Sequence, residues 1–333
     1  MKLSTRSLAM YSLIILPSAA VHAGPNTEQS LQWLSRMAQA ASTLSYEGTF
    51  VYVHQDAVEA MRIVHKVSGA ENLERLVSLN GSMREVVRKN NIVTCFLPNN
   101  KQVVVEQQHN LVPFLASLPG RIDKVRSYYE FDLGDMDRVA GLRAQVVLVK
   151  PRDQYRFGYR LWLDERTGML LKSQMLNESG QPIEQIMFTS FNILTTVPDQ
   201  MLVPEGKQHT PNAWITDEKL PVSAMSATNE WRISWLPEGF EMSAKHMRNS
   251  SITAGPIHHF LISDGFASVS VFVERRTVQE NNALTEVKKG AISAFSIISG
   301  DFKVTTVGEV PMPTVKRIAQ SVQHQSAGVV SAP

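Results

Sequence analysis

Nine histidines, a single cysteine and a knot of aspartates are the side chains of this 333-residue sequence with the widest chemical reach. Catalysis or metal binding would depend on how they are spaced. His54, His65, His109, His209, His246, His258, His259 and His324 are scattered, with no pair at the four-residue spacing of a helical metal site. His258 and His259 are adjacent on an expected strand, so they point to opposite faces and cannot chelate one ion together. Asp132, Asp135 and Asp137 have the density of a calcium loop but not its spacing, and no bidentate carboxylate closes it. A solvated strand end accounts for them. Cys95 lies in the apolar run from Asn91 to Leu97 and reads as a packed strand thiol, since free cysteine behaves as a small hydrophobe. The sequence carries no Gly-x-Ser-x-Gly elbow, phosphate loop, dinucleotide fingerprint or His-Glu-x-x-His motif. The reading is a protein that is not an enzyme and needs no cofactor or metal.

Aromatic residues at alternating positions offer a different chemistry. Phe50, Tyr52, Phe96, Phe131, Trp162 and Phe188 are the candidate inward positions of a curled sheet. They either fill a core against helices or leave part of a concave face open to acyl chains. Burying a methylene contributes about 0.8 kcal/mol. A chain of about a dozen carbons would therefore contribute on the order of 10 kcal/mol gross, before ordering costs.

The elements that would position them follow from periodicity. Leu31, Leu34, Met37, Ala38, Ala41 and Leu44 mark one face of a helix over 27–44, with Asn26 or Thr27 as cap. From Tyr46 the period changes to two. Strands are expected at 48–54, 60–67, 74–79, 83–88, 92–97 and 102–107, broken by turn formers such as Asn80-Gly81. A short helix at Leu111–Leu118 ends at Pro119-Gly120, and strands follow at 127–133, 142–149, 156–164, 169–176 and 183–193. Connections this short leave no room for crossover helices, so the sheet must be largely antiparallel. A sheet of about eleven strands curls rather than staying flat.

Length predicts two domains. Pro198, Pro204, Pro211 and Pro221 punctuate an aperiodic stretch, and 205–228 reads as the linker. The second unit, 229–322, has strand candidates at 231–235, 242–247, 258–263, 267–273 and 302–310 and a closing helix at 314–322. Residues 323–333 read as a frayed tail. The formal net charge is +2 without a polybasic stripe, which argues against nucleic acid as a partner. Lys2 and Arg6, the apolar run from Leu8 to Leu16 and Val21-His22-Ala23 make a secretory signal with cleavage after Ala23, and the run is far short of the ~20 residues needed to span a bilayer. The remainder, 24–204, is the first domain.

Several stretches resemble the RseB/MucB family of sigma-E regulatory proteins. They are Arg138-Val-Ala-Gly-Leu-Arg-Ala144, Pro151-Arg-Asp-Gln-Tyr-Arg-Phe-Gly-Tyr-Arg-Leu-Trp-Leu-Asp164 and Thr167-Gly-Met-Leu-Leu-Lys-Ser173 in the first unit. The second adds Trp235-Leu-Pro-Glu-Gly-Phe240, Ser263-Asp-Gly-Phe-Ala-Ser-Val-Ser-Val-Phe-Val-Glu274 and Val307-Gly-Glu-Val-Pro311. Phe157 and Met169 stand where the pattern has Tyr and Leu. The resemblance implies an α+β protein: an N-terminal antiparallel sheet curled as an unclosed β-barrel over helices, like lipoprotein carriers, and a smaller C-terminal α+β domain. It further implies a soluble periplasmic negative regulator of the envelope-stress sigma factor. Such a protein binds the periplasmic region of an inner-membrane anti-sigma factor, protects it from proteolysis, and is released by lipopolysaccharide or another acyl lipid. On that view Trp231, Trp235, Phe240 and Phe272 are candidates for the anti-sigma-factor surface, against a plain core role. A lipid or lipoprotein carrier is the alternative, although it has no evident need for the C-terminal domain.

Overall fold

The structure, a computed structural model, describes residues 25–69, 71–90, 92–97, 102–106, 125–204, 230–249, 255–276 and 284–324. The expected signal segment, the helix at Leu111–Leu118, the stretch 205–228 and all of the tail beyond His324 lie outside them. Helix α1 (Pro25–Thr43) begins slightly earlier than its apolar periodicity and buries Leu31, Leu34, Met37 and Ala38 along one side.

After α1 the chain forms β1 (Tyr46–His54), β2 (Ala57–Ser68), β3 (Glu71–Ser78), β4 (Glu85–Lys89), β5 (Ile92–Leu97) and β6 (Gln102–Glu106). A second meander comprises β7 (Tyr129–Val139), β8 (Leu142–Pro151), β9 (Gly158–Asp164), β10 (Leu170–Leu176) and β11 (Pro182–Ile193). Antiparallel pairing of β1 with β11 joins the two into one eleven-stranded sheet, in the order β6-β5-β4-β3-β2-β1-β11-β10-β9-β8-β7. β6 and β7 are its edges and do not pair with each other, so the barrel stays open.

Strand register decides which side chains face α1. On β9, Tyr159, Leu161 and Leu163 pack with the apolar side of α1, and Tyr129, Phe131, Val147 and Val149 join them from β7 and β8. Following the pairings outward, the same face carries Ser173 and Met175 on β10, Ile186 and Phe188 on β11, Phe50 and Tyr52 on β1, and Met61 and Ile63 on β2. The bulge between Thr49 and Phe50 keeps this face continuous across the seam between the meanders. Gly48 sits beside it with no space for a side chain, since a Cβ there would lie 2.6 Å from the Ser190 carbonyl oxygen.

The second sheet runs β13 (Glu241–Asn249), β14 (Pro256–Ser263), β15 (Ser268–Arg275), β18 (Phe302–Gly308), β17 (Ile292–Ser299), β16 (Thr285–Lys289). Helix α2 (Met312–Gln320) covers one side of it, burying Val315, Ile318 and Ala319 against Phe260, Ile262, Val269, Val271, Phe295 and Val304. The β16–β17 hairpin has no counterpart in the sequence-based strands. Residues Thr285–Lys289 are exposed throughout and show no alternation of apolar and polar side chains. The chain beyond α2 also differs from expectation. The helix stops at Gln320, and β19 (Val322–His324) pairs with β12 (Trp231–Ile233), fastening the end of the unit to its start. Among the described residues no helix is long and apolar enough to cross a membrane.

Candidate functional site

Between the first sheet and the second lies a cavity of 570 Å³. Its first wall is the α1-facing side of β1, β2, β10 and β11, where period-two alternation brings Phe50, Tyr52, Met61, Ile63, Leu171, Met175 and Phe188 together. Its second wall comes from the C-terminal domain: Phe266, Ser268, Ser270, Ile292, Val307 and Glu309. The volume falls within the ~300–1,000 Å³ typical of small-ligand pockets. The lining is chiefly aromatic, aliphatic and thioether, and unbranched Met side chains adapt to ligands of variable shape.

One end of this cavity is polar. The Tyr52 hydroxyl donates to Glu184 Oε2 at 2.9 Å, and the Ala291 amide donates to Glu184 Oε1 at 3.2 Å, so a carboxylate of β11 holds both domains. Glu309 lines the same space at its rim, exposed to solvent on one side, and desolvation by the neighbouring walls together with the nearby Glu184 charge raises its pKa above the usual carboxyl value. Burial, then the Glu184 charge, raises Tyr52 as well, so its phenol stays protonated and donating.

Next to the cavity the domains are clamped by an ion pair. Arg156 Nη1 donates to Asp264 Oδ2 at 2.8 Å, with neither side chain exposed. The Tyr129 hydroxyl donates to the same Asp264 oxygen at 2.9 Å. Asp264 Oδ1 accepts the amides of Phe266 and Ala267, which fixes the β14–β15 turn. The other guanidinium nitrogens reach Asp153 and the Glu238 carbonyl, and the Phe240 ring lies 4.9 Å below the guanidinium carbon. The charges are thus paired and their hydrogen-bonding capacity is used, which is what a buried ion pair requires. Phe266, held by this turn, inserts among Tyr129, Phe131 and Tyr159 in the core of the first domain. A further contact sits on the rim, where the Thr314 hydroxyl donates to the Tyr155 carbonyl at 2.8 Å and Arg317 lies over the Trp235 ring.

The six aromatic candidates of the first domain separate into three groups. Phe50, Tyr52 and Phe188 line the cavity. Phe131 faces the same way but is packed into the core beneath α1, where no space is left. Trp162 and Phe96 face the opposite side of the sheet. Trp162 alternates with the inward Leu161 and Leu163, donates its indole N–H to Asp137 at 2.7 Å and carries the Lys172 ammonium 4.1 Å above its ring. Phe96 pairs with Glu85, which shares its face with Arg75 and Val77, and that side is covered by the 3-10 turn at Asp199–Leu202. The neighbouring Cys95 is half-buried and in no disulfide.

The second group of aromatics separates too. Trp231 is buried against Phe302 and His324, and Phe240 is buried in the clamp. Trp235 is half-buried at the domain boundary, 5.1 Å from Tyr155. Phe272 alone lies on the side of the second sheet away from α2, half-exposed and stacked on His259 at 4.4 Å. His258, as expected, turns the other way, into the core. The aspartate knot is explained by local pairs: Asp132 meets Lys150 at 2.9 Å, and Asp137 accepts the Trp162 indole. Among the described residues no three His, Cys, Asp or Glu side chains converge as metal ligands.

Sequence reasoning missed the aliphatic and thioether lining, Glu184, and the entire second wall. Met61, Ile63 and Glu184 do carry a signal: Met61 pairs with Phe50, Ile63 lies two residues beyond it on the same face, and Glu184 shares the face of Phe188 on β11. The second wall carries none, since it depends on how two domains dock.

Comparison with known proteins agrees with this architecture. The model of the MucB/RseB N-terminal domain matches residues 29–206, and that of the MucB/RseB C-terminal domain matches residues 225–323. The sigma factor AlgU regulatory protein MucB of Pseudomonas aeruginosa is 33% identical over 324 residues, which is 95% of this chain and 97% of the relative. The sigma-E factor regulatory protein RseB of Escherichia coli K12 is 27% identical over 326 residues, covering 96% and 97%. The structure of the Pseudomonas aeruginosa MucA/MucB complex superposes with a TM-score of 0.72 at 31% identity, covering 90% of this chain and all of that one. A structure of MucB alone gives 0.62 at 28% identity, covering 91% and 100%. With an open eleven-stranded sheet, a clamped second sheet domain and both family models matched in order, the chain belongs to the MucB/RseB family of sigma factor regulatory proteins.

Proposed function

We propose that this chain is a periplasmic negative regulator of an envelope-stress sigma factor, exported by cleavage after Ala23. It acts by binding rather than catalysis. It holds the periplasmic region of a membrane anti-sigma factor, shields it from proteolysis, and lets go when an acyl lipid or lipopolysaccharide enters the cavity. The supporting observation is that both domains build the cavity, so its occupant acts directly on their relative position. The solved MucA/MucB complex, matched across both domains, supports the choice of partner. The surface assigned to that partner is the half-exposed side of the second sheet around Phe272 and His259, with the buried Trp231 and Phe240 serving as its support.

The coupling is a linkage. If lipid favours a domain arrangement that binds the partner less well, each ligand weakens the other by the same factor. A tenfold effect needs only about 1.4 kcal/mol of differential binding. Calorimetry of residues 24–333 against the periplasmic region of the cognate anti-sigma factor, with and without lipopolysaccharide, tests this. The expected result is tight binding that lipopolysaccharide weakens. Lipid binding without affinity for the anti-sigma segment would overturn the regulatory reading and leave a lipid carrier.

A further inference from the structure

The second sheet ends at β16, an edge strand exposed along its whole length. Alternation directs its side chains to two sides. Glu286 and Lys288 fall on the side of α2, where Glu286 meets Lys316 at 2.6 Å. Val287 and Lys289 fall on the side that walls the cavity. There the pairing runs from Val287 to Ala294 to Val307, so an apolar rung leads in direct register from the open edge to the cavity lining. Ile292, opposite Lys289, belongs to that lining and is still 43% exposed, while Val287 is 50% exposed. A loose hairpin does not account for this exposure. Its tip is fastened to the first domain, with Ala291 fully buried in that core and its amide donating to Glu184. An open edge carrying exposed valine and isoleucine invites association.

Charge indicates the partner. Lys288 and Lys289 are adjacent at the tip, directed to opposite sides of the edge, and neither has an ion-pair partner among the described residues. Glu286 is taken by Lys316, and Glu184 keeps its oxygens on Tyr52 and the Ala291 amide. We infer that the β16–β17 hairpin is the contact through which this protein meets an anionic lipid surface. Val287 and Ile292 enter among the acyl chains, and Lys288 and Lys289 meet the phosphate head groups. This rests on the lipid-cavity reading proposed above and adds how a chain reaches the cavity. Apolar side chains flanked by ammonium groups match an anionic lipid boundary on both counts, because the long lysine stems keep their charges at head-group level while the apolar groups go deeper. Head groups stay outside with the lysines while a chain follows Ile292 inward, so the carboxyls of the cavity do not have to hold an anion. The Phe272 end of the same face, three strands away, is left to the protein partner.

The test is co-sedimentation of the whole chain with phosphatidylcholine vesicles, with and without about 30% phosphatidylglycerol. Binding is expected only where phosphatidylglycerol is present, and added salt should weaken it. The double substitution Lys288→Glu/Lys289→Glu should lower it about tenfold or more, and Val287→Ser should lower it by less. All three side chains are exposed, so both variants should melt as the wild type does and still bind the apolar dye N-phenyl-1-naphthylamine in the cavity. A double variant that binds the vesicles as the wild type does overturns the hairpin assignment. So does a wild type that binds both kinds of vesicle equally, or neither, and dye binding in these cases leaves the cavity as a lipid site. A wild type that fails to bind the dye overturns the lipid-cavity reading itself, and the delivery of chains to it falls with that reading.

Discussion

Around Arg156 the two domains meet through side chains with no exposed surface, and each charge there has a partner. Around Phe188 and Val307 the same two domains leave 570 Å³ between them, bounded mainly by carbon and sulfur. The first contact is directional: a guanidinium, a carboxylate and a phenol satisfy one another only at one orientation. The second is non-directional and depends on area alone. A joint that is rigid at one side and hollow at the other has a pivot and a lever. Material added to the hollow side must either fit or turn one domain about the clamp. This is a physical route by which a lipid could alter the surface around Phe272 and His259, which the His259–Ser270 hydrogen bond of 3.0 Å joins to the cavity wall.

The comparison breaks most directly at the clamp. Asp264→Ala removes the partner of a fully buried arginine, the acceptor of Tyr129 and the cap of the turn that inserts Phe266. Truncating one member of a buried pair costs about 3–5 kcal/mol. We expect a loss of that size in denaturant unfolding and a larger radius of gyration in solution scattering, since the domains come apart. Replacing Gly239 should mimic the scattering change. Its φ is +84°, and a Cβ there would lie 2.2 Å from the Tyr128 ring, so Gly239→Ala pushes on the clamp with no charge altered. An unchanged radius of gyration in both variants would show that the clamp does not set the domain arrangement.

Trp162→Ala supplies the contrast. The side chain is 4% exposed and lies on the outer face of the first sheet, away from both interdomain contacts. Its loss should also cost about 3–5 kcal/mol. Its effect should fall on the unfolding of the first domain alone, with binding of the apolar dye N-phenyl-1-naphthylamine in the cavity retained under native conditions. Dye binding lost in a folded Trp162→Ala protein would contradict the assignment of its face.

That face marks where the sequence was legible and where it was not. Alternation and the turn residues between strands located most strands of both meanders to within a few residues, since pleating has a period of two, although β7 runs on to Val139, well past its expected end at 133. Alternation also says that Trp162 opposes Leu161 and Leu163, but not which of the two faces meets the helix. Both faces are substantially covered here, one by α1 and the second domain, the other in part by the Asp199–Leu202 turn, so hydrophobicity does not discriminate between them. Phe96 was obscured in the same way. Glu184 and Glu309 are 125 positions apart by number and reach one cavity only because the domains dock, which no local pattern records. The resemblance to the family indicated two domains and an open sheet, while the clamp and the second wall became visible only in three dimensions.

On the hollow side a smaller effect is expected. Phe50→Ala enlarges a space that already exists, and Phe50 is half-buried, so the cost should be about 1–2 kcal/mol, below the ~3 kcal/mol lower limit for a fully buried Phe. The same variant should weaken amphiphile binding, because it removes part of the apolar wall. Melting curves and dye displacement together check this. A loss as large as that of Asp264→Ala would mean that Phe50 is core rather than cavity wall.

The smallest expected effect distinguishes the polar end of the cavity from everything else by pH. Desolvation by the cavity walls, assisted by the Glu184 charge, raises the pKa of Glu309 above its ordinary value of 4.5 even though the side chain is exposed at the rim. Between the ordinary and the raised value the folded state therefore binds more protons than the unfolded one, and stability falls as pH rises through that window. Below it the penalty is absent, and above it the penalty is complete. His65 and His258 act in the opposite sense. Burial lowers both from 6.5, so each subtracts stability as pH falls below that value. The two trends overlap in the wild-type protein and partly mask each other. Glu309→Gln removes the first and leaves the second, so the informative quantity is the difference between the two melting temperatures. It should favour the variant increasingly as pH rises from about 4.5 and then level off. A difference that stays constant across the range would mean that Glu309 titrates as it does in the unfolded chain and that the cavity's polar end is well solvated.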